Sequence, residues 1–234
     1  MTLQKTGASA LKVSIIVPIL NEAKILPELL EHLLTFKRQG CEIVLVDGGS
    51  HDGSIAIAQA IGFPVITSEA GRARQMNKGA AFATGNLLLF LHADTRLPAN
   101  AIELIANLTG NWKYEWGRFD VSINGKSPLL NIIAWMMNWR SAFSGIATGD
   151  QAIFIRRSTF FRVGGFPEQP LMEDIELCKR LKRKMAPARI HERVITSGRR
   201  WDERGVWKTV FLMWRLRWRY WRGVSADKIA EAYR

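Results

Sequence analysis

Residues 86–95 read NLLLFLHADT, and this stretch decides the fold. A short apolar run without helical caps is the pattern of a strand buried on both faces. The run ends abruptly in His92 and Asp94, two residues apart. In open α/β sheets, ligands bind beyond the carboxyl ends of the strands. A carboxylate at that position is well sited to hold a divalent cation against a ligand's phosphates. The alternative is an aspartate that merely starts a turn.

Working outward, the same pattern recurs. Strand-like runs at 13–20, 42–46, 64–67 and 87–92 alternate with helix-like segments at 23–39, 52–61, 72–83 and 98–108. That alternation predicts a doubly wound, mostly parallel sheet flanked by helices, an α/β fold. Beyond residue 111 the pattern turns mixed. WGRFDVSI and QAIFIRR read as further strands, with residue 149 opening the second after a glycine-containing loop. Residues 128–143 read as an apolar helix. No repeat or linker divides the chain.

Three segments join HADT in carrying chemistry: VSIIVPILNE (13–22), CEIVLVDGGSHDGS (41–54) and LMEDIEL (171–177). In this order they resemble the family 2 glycosyltransferases, inverting nucleotide-sugar enzymes of the GT-A (Rossmann-like) fold. GRARQMNKGA (71–80) followed by LLFLHADT is typical of a small bacterial subgroup. The resemblance runs from Val13 to about Trp201.

It implies the following roles. Pro18, Asn21 and Glu22 lie beside the nucleotide, although Glu22 could equally cap the next helix. Asp47 bonds the nucleoside, but the family's second acid is Gly48 here, and Asp52 reads as a helix cap. Arg72 and Arg74, on a glycine-entered helix, suit a pyrophosphate. Asp94 holds Mg²⁺ or Mn²⁺, while the first acid of the DxD motif has become His92, which is suited to a ribose, a phosphate or a softer metal. Asp150 borders the sugar. Asp174 is the catalytic base and Glu173 its support, against the alternative of helix N-terminal charge compensation. Arg200 meets the diphosphate. SGRRW replaces the QxxRW of processive members, which argues against a processive synthase.

Charge divides the 234-residue chain. Residues 1–176 carry 16 Lys/Arg and 16 Asp/Glu, and residues 177–234 carry 17 against 5, so the whole net charge of +12 lies in the tail. Such a tail favours an anionic partner. Within it, Trp207, Val210, Phe211, Trp214, Trp218 and Trp221 recur at helical spacing, with Lys208, Arg215, Arg219 and Arg222 alongside. Either this stripe lies on an anionic membrane surface or it packs on the catalytic domain. No run is long enough to cross a bilayer, and no nucleic-acid motif accompanies the charge.

Two distant cysteines and no signal peptide make a reduced cytosolic setting the simplest reading, with the inner membrane face as a peripheral site. The first twelve residues read as a disordered lead. The expectation is a GT-A domain over 1–201 and a basic, Trp-rich helical extension over 202–234. Its activity would be metal-dependent transfer from a UDP- or GDP-sugar to a lipid-linked or membrane-proximal hydroxyl. Two other classes compete: a nucleotidyltransferase, whose glycine-rich first-strand signature is missing, and a catalytically silent nucleotide-sugar-binding protein, which retention of Asp94 and Asp174 opposes.

Overall fold

A computed structural model describes residues 11–109 and 114–233. The twelve-residue lead falls almost wholly outside them. In chain order the elements are β1 (Val13–Ile19), α1 (Leu26–Arg38), β2 (Glu42–Asp47), α2 (Ser54–Ala60), β3 (Val65–Thr67), α3 (Arg72–Phe82), β4 (Leu87–Phe90), β5 (Thr95–Arg96) and α4 (Ala101–Thr109). They continue with β6 (Trp116–Asn124), α5 (Leu129–Ser144), a 3-10 turn (Gly149–Gln151), β7 (Phe154–Arg156), α6 (Arg157–Arg162), α7 (Glu173–Lys182), β8 (Ala188–Ser197), α8 (Arg199–Arg204), α9 (Val206–Trp221) and α10 (Ala226–Glu231).

One sheet runs in the order β3-β2-β1-β4-β7-β6-β8-β5. The first four strands in that order are mutually parallel, β7 is antiparallel to both β4 and β6, and β6 and β8 are parallel. The β1 and β4 runs are continuously apolar because both faces of the sheet are covered. Alternate residues point to opposite faces, so Ile15, Val17, Leu87 and Leu89 meet α1 through Leu29, Leu33 and Phe36. Ile16, Leu88 and Phe90 meet α3 through Met76 and Ala80 on the other side. Burying each of these side chains is worth about 1.5–3 kcal/mol, so the two layers hold the strand ends firmly.

One sequence expectation changes. QAIFIRR is a strand only over Phe154–Arg156. Residues 149–151 form the 3-10 turn instead, closed by a reciprocal bond pattern between Thr148 and Gln151. The apolar helix expected over 128–143 forms as α5. A helix apolar on every side is expected to be buried, yet Ile132, Trp135, Met136, Trp139 and Phe143 are exposed.

A buried polar network seats α5 on the sheet. Arg118 pairs with Asp120, which also receives Arg189 Nη2 at 2.8 Å. The Asn138 side chain accepts from Val121 N at 2.8 Å and donates to Val121 O at 2.9 Å. These groups satisfy one another where the β6–β8 register shifts between Phe119 and Asp120.

Candidate active site

The carboxyl ends of β1 and β4, the start of α3, the 3-10 turn, the start of α7 and α8 surround a cavity of about 1450 Å³, with α5 and α9 as its outer walls. Pro18, Glu22, Arg72, His92, Asp94, Asp150, Glu173, Asp174 and Arg200 all line it. Residues spread over more than 180 positions of sequence thus converge on one space.

Asp174 and Glu173 open α7. The residue before them, Met172, has φ of 66°, and non-glycine residues at Asn21 (55°) and Ala152 (45°) are also left-handed. Such conformations cost about 1–3 kcal/mol each and persist where the surroundings enforce them. Met172 lines the cavity itself, Asn21 lies between its lining residues Leu20 and Glu22, and Ala152 lies two positions after Asp150. Met172 is held in turn by Ile175 and by Leu216 of α9.

Asp174 Oδ2 accepts from Gly149 N at 2.9 Å and Oδ1 from Ile175 N at 2.7 Å. Burial, followed by the adjacent Glu173 charge, nevertheless pushes its carboxyl up to about 6. It is therefore ionised at neutral pH yet basic enough to take a proton, the balance a general base needs. Glu173 is buried and meets Arg72 Nη1 at 3.4 Å.

His92 Nδ1 lies 3.2 Å from Asp150 Oδ1. Burial alone would push the Asp150 carboxyl up, but the His92 bond and the charges of His92, Arg72 and Arg200 outweigh it and hold the pKa low. A Cβ on Gly149 would stand 2.2 Å from His92 Nε2, so this histidine and this glycine require one another. Gly48, the departure from VDDGS, also has a local cause: a Cβ there would lie 2.9 Å from the Gln75 side chain. The Gln75 amide donates to Ile19 O at 2.9 Å and Val46 O at 2.8 Å, tying the ends of β1 and β2 together. Nothing in the sequence singled out Gln75.

Three expected residues lie outside the cavity lining. Asn21 Oδ1 accepts from His51 N at 2.9 Å, joining the loops after β1 and β2. Asp47 Oδ2 accepts from Gly49 N and Ser50 N, while its buried Oδ1 meets no partner among the described residues. Arg74 turns toward Glu69 at 2.7 Å and Glu168 at 3.4 Å. Asp52 bonds Ser54 and the Ala23 amide, so it fastens the β1–α1 loop to the start of α2.

For a cation, Asp94 offers its carboxylate to the cavity, with one long contact to Thr95 Oγ1 at 3.4 Å. The described residues contain no cluster of three His, Cys, Asp or Glu side chains suited to a metal. A lone carboxylate fits Mg²⁺ or Mn²⁺ only where the ligand's phosphates and water complete the shell, which is the usual mode of Mg²⁺ with nucleotides.

The α9 stripe is settled against one of its alternatives. Trp207, Phe211, Trp214, Trp218 and Trp221 are all exposed, and only Thr209 and Leu216 of the helix are buried. The stripe is not core. Among the described residues no helix is long and apolar enough to cross a membrane.

A sheet whose strand ends present carboxylates and arginines to one cavity is an α/β protein with its ligand site at the carboxyl ends of its strands. The family model "Glycosyl transferase family 2" matches residues 14–162, and the chain belongs to that family. A mannosyltransferase from Pyrobaculum calidifontis, solved with GDP-Man and Mn²⁺, superposes with a TM-score of 0.64 at 22% identity, over 90% of this chain and 61% of that one. The two share the GT-A fold.

A Mycobacterium bovis protein named PGL/p-HBAD biosynthesis glycosyltransferase is 40% identical over 108 residues, 42% of this chain and 41% of its own length. An undecaprenyl-phosphate 4-deoxy-4-formamido-L-arabinose transferase of Sodalis glossinidius is 34% identical over 102 residues, 39% of this chain and 31% of its own. The chain therefore matches well under half the length of these curated relatives.

Proposed function

We propose that this chain is a metal-dependent inverting glycosyltransferase that moves a sugar from a UDP- or GDP-sugar to the hydroxyl of a lipid-linked acceptor. The observation that carries the reading is Asp174: a cavity carboxyl raised to about 6, across the same space from Asp94, Arg72 and Arg200.

In the reaction the acceptor oxygen bonds to the anomeric carbon as its proton passes to the Asp174 carboxylate. The bond from that carbon to the diphosphate oxygen breaks, and its electron pair leaves with the nucleoside diphosphate. Attack from the face opposite the leaving group inverts the configuration. Arg72 and Arg200 face the charge that develops on the diphosphate, and such preorganised charge is usually the largest single contribution to rate. Asp94 would hold Mg²⁺ or Mn²⁺, which supplies further positive charge against the phosphates. Glu173 keeps Arg72 in place, and the His92–Asp150 pair borders the sugar.

Support for a lipid-linked acceptor comes from the bare aromatic faces of α5 and α9 and from the relative named for undecaprenyl phosphate. The basic side of α9 suits an anionic membrane surface. Residues 202–234 would then act as the extension that brings the domain to its acceptor, on the inner face of the cell membrane.

The test is a panel of UDP- and GDP-sugars with and without Mn²⁺, read as thermal shift and as release of nucleoside diphosphate. A donor that raises the melting point only with the cation supports the reading. No shift with any donor defeats it.

A further inference from the structure

The scheme above leaves one group on the cavity wall without a task. Arg140 lies on α5, and its Nε and Nη2 atoms are buried without an acceptor among the described residues. The contrast with Arg118 is informative. That arginine is fully buried, whereas Arg140 is half-buried, and it reaches Asp120, Phe119 O and Asn138 O. Buried guanidinium donors are ordinarily satisfied, so the idle pair on Arg140 marks a place that a ligand completes.

Its acidic neighbours are cavity residues. Burial depresses the Arg140 pKa, and Asp174 and Asp150 are the acids that oppose the effect. Arg72 and Arg200 share Asp150 with it, and Arg72 also Asp174, but both feel Asp94 as well, which does not act on Arg140. Arg140 thus lines the same cavity within the field of Asp174 and Asp150. A guanidinium binds phosphate or carboxylate through two parallel N–H bonds.

The same helix bears an uncovered apolar stripe. Ile132, Trp135 with Met136, Trp139 and Phe143 recur over successive turns of the helix and are 40–85% exposed. The Trp139 and Phe143 rings stack with centroids 5.8 Å apart. Trp135, Met136 and Trp139 reach the cavity, where α9 adds Trp214 and Trp218. A continuous apolar path therefore leads from solvent to Arg140, and exposed apolar patches of this extent mark interaction sites.

We infer that the acceptor is an anionic amphiphile, whose phosphate or carboxylate docks on Arg140 beside Asp174 while its apolar tail lies along the aromatic stripe of α5. This rests on the glycosyltransferase reading of the cavity and names the acceptor class for it.

The experiment titrates the full chain with decyl phosphate below its micellar concentration, following tryptophan fluorescence. Decanol (tail alone) and inorganic phosphate (charge alone) serve as parallel probes. Decyl phosphate should bind at least about tenfold more tightly than either, and Arg140→Gln should remove about that factor. Arg140→Lys should restore part of it. Trp135→Ser with Trp139→Ser, both on exposed positions that folding does not need, should weaken decyl phosphate and leave inorganic phosphate unchanged.

Wild-type affinity in a folded Arg140→Gln protein, or in the double tryptophan variant, overturns the inference. So does decanol binding as tightly, which makes the stripe merely adhesive. Equal affinity for inorganic phosphate makes the ligand a free anion and also overturns it. GDP and UDP with Mn²⁺ are run alongside: absence of their thermal shift with amphiphile binding intact defeats the transferase reading and not the amphiphile site.

Discussion

Replacing Asp174 by asparagine should stabilise the protein while disabling it. The carboxyl is moved from 3.8 to about 6 by burial and by Glu173. Each tenfold change in proton affinity corresponds to about 1.4 kcal/mol, so holding this group ionised at neutral pH costs the fold about 3 kcal/mol. Asparagine removes that cost, but it can accept from only one of the two amides, Gly149 N and Ile175 N, that Asp174 satisfies. Losing one such bond takes back about 1 kcal/mol. Part of the side chain reaches cavity water, which trims the gain further, leaving about 1–2 kcal/mol. For a chain of this size that is a melting point about 2–8 °C higher at pH 7.5.

The sign is set by the direction of the shift. A folded pKa above the unfolded value contributes stability below about pH 4 and loses it as pH rises through 6. The gap between variant and wild type should therefore open between pH 4 and 6 and close at pH 4. Transfer should fall by about 10²–10⁴ while donor still binds. Calorimetric melts over pH 4–8 with a nucleoside diphosphate release assay decide it. A variant less stable at pH 7.5, or one that still turns over, refutes the reasoning.

Three further outcomes follow from the same geometry. Asp94→Ala should abolish Mn²⁺-dependent donor binding in a thermal-shift assay without lowering the melting point of the free protein; retention of that shift removes Asp94 from the cation. Gly149→Ala drives a methyl into His92 and should cost about 1–3 kcal/mol as overpacking, with activity lost as the His92–Asp150 contact is displaced. Wild-type protein should co-sediment with anionic vesicles, less so as salt rises, and Arg215→Gln with Arg219→Gln and Arg222→Gln should weaken this by about 1 kcal/mol per residue; indifference to vesicles refutes the membrane surface.

Much of the fold was legible for a physical reason. Strands β1, β2 and β4 are covered on both faces, so their sequences are largely apolar until the chain leaves the sheet, and at the exit of β4 the polar residues face the cavity. That is why His92 and Asp94 stood out from pattern alone, whereas Pro18 needed the family resemblance. The acids at 173–174 needed the motif order as well, because an ED pair at a helix start reads equally as charge compensation. What stayed hidden depends on tertiary contact. Gly149–Gln151 resembles the start of a strand, and only the Thr148–Gln151 bonds and the left-handed Ala152 make it a turn. Asp120 sits in a strand as an ordinary polar alternation, with no local sign of its two arginine partners. The apolar run of α5 carries no local sign that one face of it is bare, and Arg140 at its edge looks like a solvated charge near a helix end. Arg74, one turn position from Arg72, leaves the cavity because Glu69 and Glu168 capture it.

The most direct test is the pH dependence of nucleoside diphosphate release, measured as kcat/KM with whichever donor gives the largest Mn²⁺-dependent thermal shift. If Asp174 accepts the proton, the rate falls tenfold per pH unit below a midpoint near 6, and the limb disappears in Asp174→Asn along with most of the activity. A rate independent of pH between 5 and 8, or the same acid limb in the variant, contradicts the account.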